Sequence, residues 1–263
     1  MRSGDYTLIL ASYYPKNTER TKAFCQQFLN CKKIVVCNSS DVQLCDFDNS
    51  WTTLRGSNHA GEFSAWQEGL DWSLEHSQKP KHGYIFVNDT VNSHRKFSRI
   101  RFHFFKNCIK QNAKHAVGFT DELLGGETFS IWGLSGNRWM STYCFYLGNE
   151  AIEKIDFKIN SELIHQQRGE TVDDSFFPSS MSNNLKKRLE EWLFGGGWYK
   201  SKQGVTNYRD IAKFKARAIV NEKMLSLRLS NKGIEIHSAM NQAPRLFVRL
   251  DNFLEKLHTK KNG

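Results

Sequence analysis

A chain of 263 residues, 39% hydrophobic and 13% aromatic, can bury the core of one large domain, which excludes global disorder. No apolar run reaches the roughly eighteen residues of a membrane-spanning helix, and Tyr6 to Tyr14 is too short and too polar-flanked for a signal peptide, so a cytoplasmic protein is expected. The net charge of +10 is uneven: residues 209–263 hold 12 Lys/Arg against 5 Asp/Glu, or +7, which suits nucleic acid, anionic lipid, an anionic substrate or a solvated helix face alike.

The first apolar segment, YTLILASYY, is β-branched and aromatic. It is followed by a helix-compatible stretch from Asn17 to Asn30 with Ala23, Phe24 and Phe28 on one stripe. KKIVVCNSS and WTTLRGSN repeat the pattern of a short buried strand ending in turn formers. From Gly61, the spacing of Phe63, Trp66, Leu70 and Leu74 predicts an amphipathic helix, with Trp66 and Trp72 as core residues. YIFVNDTV then reads as a central strand of a parallel sheet, because it is apolar on both faces until Asn88.

A basic helix is expected over about Phe97 to Gln111, then a strand AVGFTDEL, a glycine-rich loop from Leu124 to Gly136 and a strand-helix unit STYCFYLGNEAIEKI. After an irregular polar stretch over 160–184, helices are expected at Leu185–Trp198 and Tyr208–Leu229, covering the sheet's open side. With no repeat or linker, the reading is one α/β domain over 1–263 around a mostly parallel sheet. The six cysteines form no C-x-x-C pair and have no histidines at zinc spacing, so reduced, mostly buried thiols are expected.

In open α/β sheets, ligands collect where strands end and helices begin. Three polar strand exits meet that description: Arg55 to Gly61, Asn88 to Thr90, and Asp121 with Glu122. A basic residue, a glycine at a helix entry and a carboxylate together suit a diphosphate and its divalent ion. Neither G-x-G-x-x-G nor G-x-x-x-x-G-K-[ST] occurs, so dinucleotide binding of the common type and P-loop ATPase chemistry have no support.

Four ordered segments resemble the bacterial rhamnan-synthesis and O-antigen glycosyltransferases, a family with a GT-A-like core. They are LRGSNHAGEFSAWQEGL at 54–70, YIFVNDTV at 84–91, WMSTYCFYLGNEAI at 139–152 and IVNEKMLSLRLSNKG at 219–233. The resemblance implies a GT-A-like fold, a nucleotide-sugar-binding core over 1–155, and an acceptor side with a basic helical C-terminal segment over 156–263. It implies transfer of a sugar from a nucleotide-diphosphate donor to a polysaccharide or lipid-linked glycan.

Carried over by position, the resemblance makes Asp89 the acidic strand-end residue that holds Mg²⁺ or Mn²⁺ against the diphosphate, with Asn88 and Thr90 shaping the turn. Val87 stands where a D-x-D motif would have its first acid. Arg55, Asn58, Gly61 and Glu62 fall on the donor segment; a helix cap by Asn58 and an Asx turn by Asn88-Asp89-Thr90 are the purely structural alternatives. Trp139, Ser141 and Thr142 border the glycine-rich loop, which would suit a lid, and are expected to meet the acceptor sugar.

Inverting transfer needs a carboxylate to accept the acceptor's proton. Candidates are Asp121, favoured by its strand-end position, Glu122, Asp173, Asp174 and Glu222, the last matching the late helix of the family. Two readings compete with the enzyme: an inactive sugar-binding or scaffolding relative, and a basic nucleic-acid-binding protein. Against the second, RLFVRLDNFLEKLHTKK is rich in Leu, Val and Phe and contains no nucleic-acid module. It suits docking on the protein's own core or an anionic membrane surface, peripheral to the inner leaflet.

Overall fold

The computed structural model describes residues 4–92, 97–161, 176–195, 208–241, 243–251 and 253. Nine strands occur among them: β1 (Tyr6–Ser12), β2 (Cys31–Cys37), β3 (Trp51–Arg55), β4 (Gly83–Asn88), β5 (Ala116–Glu122), β6 (Phe129–Ile131), β7 (Leu134–Gly136), β8 (Arg138–Gly148) and β9 (Ile236–Ser238). Six helices accompany them: α1 (Thr18–Cys25), α2 (Glu62–His76), α3 (Arg99–Gln111), α4 (Asn149–Lys154), α5 (Asn183–Phe194) and α6 (Tyr208–Asn231). A further helical stretch covers 245–251.

Seven strands form one sheet in the order β3-β2-β1-β4-β8-β5-β9. Its strands are parallel except β8, which runs antiparallel to both β4 and β5. The sequence pattern predicts β8 as one more unit of the β/α alternation. It reverses instead because the link from β5 contains no crossover helix; a parallel return needs one, whereas the short β6–β7 hairpin brings the chain back alongside.

The alternation within each buried strand divides the core between the two faces. Leu8, Leu10, Val35, Ile85 and Val87 pack with Phe24 of α1 and Phe105 and Ile109 of α3. Ile9, Ile34, Val36, Tyr84 and Phe86 face Phe63, Trp66 and Leu70 of α2, Ile152 of α4, and Leu225 and Leu229 of α6. Helices on both faces explain why the central strands read as unbroken apolar runs. A third cluster, with Phe129, Ile131 and Trp139, lies under α5 and α6. The Phe129–Gly136 part of the glycine-rich loop is therefore a packed hairpin: the Ser130 carbonyl accepts the Ser182 amide at 2.9 Å, and the Ser130 amide donates to the Ser182 hydroxyl at 3.1 Å.

Helix α6 ends where Gly233 takes φ +75°, and the Ile234 amide reaches back to the Leu229 carbonyl, closing a Schellman turn. Helix α2 approaches the sheet closely because Gly69 has no side chain: a Cβ there would lie 2.5 Å from Ile9 Cγ2. Gly69→Ala should therefore destabilise the fold by about 1–3 kcal/mol despite alanine's better helix propensity. Urea unfolding reads this directly, and an unchanged or raised midpoint would mean the helix can shift outward at no cost.

All six cysteines are free, with Cys25, Cys37, Cys108 and Cys144 buried and Cys45 exposed. Burial pushes the Cys37 thiol up to about 11 and the Cys31 thiol up to about 12, away from thiolate chemistry. Among the described residues, no helix is long and apolar enough to cross a membrane.

Candidate functional site

The chain steps from β1 to β2 to β3 on one side and then places β4 on the other side of β1. That reversal leaves a crevice between the exits of β1 and β4, the place where open α/β sheets receive ligands. Asp89 stands in it, 1% exposed, and its Oδ2 accepts the backbone N–H groups of Tyr13 and Tyr14 at 2.6 Å each. It thereby ties the β4 exit to the β1 exit. The Asn88 side chain accepts the Thr90 amide at 3.0 Å, so Asn88 and Thr90 form the Asx turn weighed from the sequence.

Burial pushes the Asp89 carboxyl up to about 6 from 3.8; the two amides and Arg20 pull the other way, while Glu62 adds to the rise. The folded protein thus holds this proton more tightly than the unfolded chain. Ionising Asp89 costs up to about 3 kcal/mol, and stability falls as pH rises from about 4 through about 6. Asp89→Asn should flatten that interval in urea unfolding measured across it. A pH profile that the substitution leaves unchanged would show that the carboxyl titrates normally.

The same arrangement bears on the expected cation. Divalent ions of this class take about six oxygens. Asp89 has one oxygen engaged by two amides, and among the described residues no three His, Cys, Asp or Glu side chains are grouped to hold a metal. A Mg²⁺ or Mn²⁺ at Asp89 would have to draw most of its ligands from phosphate oxygens and water.

Helix α2 enters the crevice at Gly61, whose φ of 60° and ψ of −137° suit glycine, and no side chain caps the helix. Its Trp66 indole N–H donates to the Val87 carbonyl, holding α2 against the β4 exit. Glu62, in the first turn, is close enough to Asp89 and Tyr14 to disfavour their charged forms. Asn58 is not the cap. It sits at φ +54° and accepts a 3.3 Å bond from Asn38, which also donates to the Gly61 carbonyl at 2.7 Å. Arg55 lies three strand spacings from β4, roughly 14 Å away. Its guanidinium donates to the Ser39 and Val42 carbonyls and shapes the β2–β3 loop instead of joining Asp89.

At this rim, Ser12 Oγ, Thr18 Oγ1 and Asn38 Oδ1 are buried with no hydrogen-bond partner among the described residues. Buried polar atoms are rarely left unpaired. Ser12 and Thr18 lie toward α1, whereas Asn38 lies toward α2 on the other face of the sheet.

The second half of the rim is built where β8 begins. Cys144 pairs with Val87, so Thr142 and Ser141 run past the β4 exit toward β5, where Asp121 pairs with Trp139. Ser141 Oγ donates to Asp121 Oδ2 at 2.6 Å. The Thr142 amide and hydroxyl donate to Glu222 Oε2 at 2.9 and 2.8 Å, and Lys223 donates to Glu222 Oε1 at 2.5 Å. The Lys223 ammonium also lies 4.0 Å from the centre of the Trp139 ring.

Thus Asp121, Trp139, Ser141, Thr142 and Glu222, distant in sequence, meet in one place. A cavity of about 250 Å³ opens on Asp121, Trp139 and Glu222, with Arg188 and Trp192 of α5 on its far wall, while Ser141 and Thr142 lie buried behind it. Trp192 is 40% exposed. Burial works against the charged form of Glu222, but Lys223 and the two Thr142 donors outweigh it and hold the carboxylate below its usual range. Burial draws Lys223 down from its ordinary value against the pull of Glu222 and Asp121. The pair is an ion pair with little contact to water, its side chains 20% and 5% exposed.

Helix α6 spans both halves: the Phe214 ring stands over Gly61, and two turns later Glu222 and Lys223 meet β8. Glu122 is exposed at the end of β5. Asp173 and Asp174 lie outside the described residues.

Lys223, Asn38, Arg188 and Trp192 were not singled out by the sequence. Lys223 had a signal: it stands next to Glu222 within the mostly apolar run from Ile219 to Leu229, where a charge needs a partner. A larger cavity of about 580 Å³ opens beside β9, among Cys108, Arg138, Glu235 and His237, but gathers no pair of carboxylates. No protein-family model matches this sequence, and no curated protein does.

Proposed function

We propose that this protein is a glycosyltransferase that moves a sugar from a nucleotide-diphosphate donor to a glycan or lipid-linked acceptor, with a GT-A-like fold. The observation that carries this reading is the pocket in which Asp121 faces Trp139, Arg188 and Trp192 beside a buried Glu222–Lys223 pair. A catalytic acid or base next to a pocket lined by aromatic rings and hydrogen-bonding groups is what sugar chemistry needs.

In the proposed reaction the donor lies along the crevice between the β1 and β4 exits. The start of α2, where no side chain caps the helix, faces the diphosphate. The acceptor occupies the cavity. Its hydroxyl passes a proton to Asp121 as its oxygen bonds to the anomeric carbon, while the bond from that carbon to the phosphate oxygen breaks and the nucleoside diphosphate leaves with the electron pair. A base on the acceptor side makes the transfer inverting. Glu222 and Lys223 fix Thr142 and the Trp139 ring around the acceptor, as positioning residues. No step runs through a cation.

The test is release of nucleoside diphosphate from UDP-, GDP- and dTDP-sugars in the presence of a glycan acceptor. Release that depends on acceptor supports transfer. No release from any donor, with binding retained, favours the sugar-binding scaffold.

A further inference from the structure

The basic, apolar C-terminal segment separates into two faces once it is folded. Asp251, 2% exposed, accepts from Ser98 Oγ at 2.5 Å and from Arg101 Nε at 2.6 Å, and Phe247 meets Phe104 edge-on at 5.8 Å. These contacts dock the 245–251 helix on the first turns of α3. The opposite face carries Leu246, Leu250 and Phe253, which are 74%, 45% and 58% exposed and follow one another at helical spacing. Arg245 and Arg249 are exposed on the same side.

Helix α3 extends the field. Arg99 and Lys110 are exposed on it, and no Asp or Glu occurs from Phe97 to His115. Between Ser238 and Phe253 the one acid is Asp251, which is buried against Arg101. Three large apolar side chains at helical spacing, flanked by arginines and with no exposed acid among the described residues of this helix or of α3, match a surface that is negative outside and apolar a few ångströms beneath. A nucleic acid would meet the charge but leave the leucines in water.

We infer that the outward face of α3 and the 245–253 segment docks on an anionic lipid bilayer. The first turn of α3 follows the β4 exit, so docking there holds the crevice rim close to the membrane surface, within reach of a lipid-linked molecule. The inference stands apart from the sugar-transfer reading, because the face shares no residue with the pocket.

The experiment is co-sedimentation of the full chain with vesicles of phosphatidylcholine alone or mixed with phosphatidylglycerol, at low and high salt. The wild type should pellet with the anionic vesicles, and salt should weaken this. Leu246→Glu with Leu250→Glu should reduce binding at least about tenfold, at an unchanged melting temperature because both positions face solvent. Arg245→Glu with Arg249→Glu should remove the preference for anionic lipid. Equal pelleting with both vesicle types, binding indifferent to the leucine substitutions, or binding of a DNA duplex with no vesicle binding would each overturn the inference.

Discussion

Asp121→Asn is expected to slow sugar transfer by about 10²- to 10⁴-fold while leaving donor affinity and melting temperature near their wild-type values. The substitution is nearly isosteric. The asparagine carbonyl can still accept the Ser141 hydroxyl, which donates to Asp121 Oδ2 at 2.6 Å, so β5 and β8 keep their junction. Only proton acceptance is lost. Ser141→Ala removes the positioning bond but leaves the carboxylate, and its effect on rate should be smaller. Steady-state release of nucleoside diphosphate with acceptor present separates the cases: equal rates in wild type and Asp121→Asn would remove Asp121 from the chemistry.

Glu222→Ala should have the largest effect on stability, about 3–5 kcal/mol, because it leaves the Lys223 ammonium buried without its carboxylate. Lys223 is 5% exposed, and the Trp139 ring at 4.0 Å and the field of Asp121, which makes no ion pair with it, only partly replace the lost carboxylate. The Thr142 amide and hydroxyl lose their acceptor as well. Removing both charges is different: Glu222→Gln with Lys223→Met should recover most of the stability, since nothing charged is then stranded. The sign with pH also follows. The folded protein holds Glu222 below its ordinary value, so the pair's contribution is present above that value and lost as pH falls through the lower, folded one. Urea unfolding of the single and double variants reads these differences.

How much of this was legible in the sequence depends on distance along the chain. The strands β1, β2, β4 and β5 announced themselves because both their faces are buried, and α2 did so through Phe63, Trp66 and Leu70. Strand exits pointed to Asp89 and Asp121 because a parallel sheet puts its polar ends on one rim. The roles at those ends were not legible. Asp89 bonds the amides of Tyr13 and Tyr14, 76 and 75 residues away, and Glu222 bonds Thr142 across 80 residues. No local pattern encodes such contacts.

The reversal of β8 was hidden for a related reason. A strand's apolar pattern does not record its direction, which here follows from the link between β5 and β8. That reversal brings Ser141 and Thr142 from β8 to the same rim as Asp121. Likewise, Asn58 looked like a cap because its residue type favours caps, yet the helix starts three residues later at a glycine whose backbone only glycine adopts easily. Arg55 looked like a phosphate ligand because it ends a strand, but β3 is the edge strand farthest from β4 on that side of the sheet.

On the proposed reading, the rim from the β1 and β4 exits to the Asp121 pocket binds a nucleotide-linked sugar. Thermal unfolding of the wild type and of Asp121→Asn in a panel of UDP-, GDP-, dTDP- and CMP-sugars tests it most directly. A true donor stabilises by mass action, about 2.7 kcal/mol at about a hundredfold excess over Kd. One nucleotide class should raise the melting temperature of both proteins in proportion to the logarithm of its concentration, while its free sugar does not. A flat panel with a cooperatively folded wild type would mean that this rim does not bind a nucleotide-linked sugar.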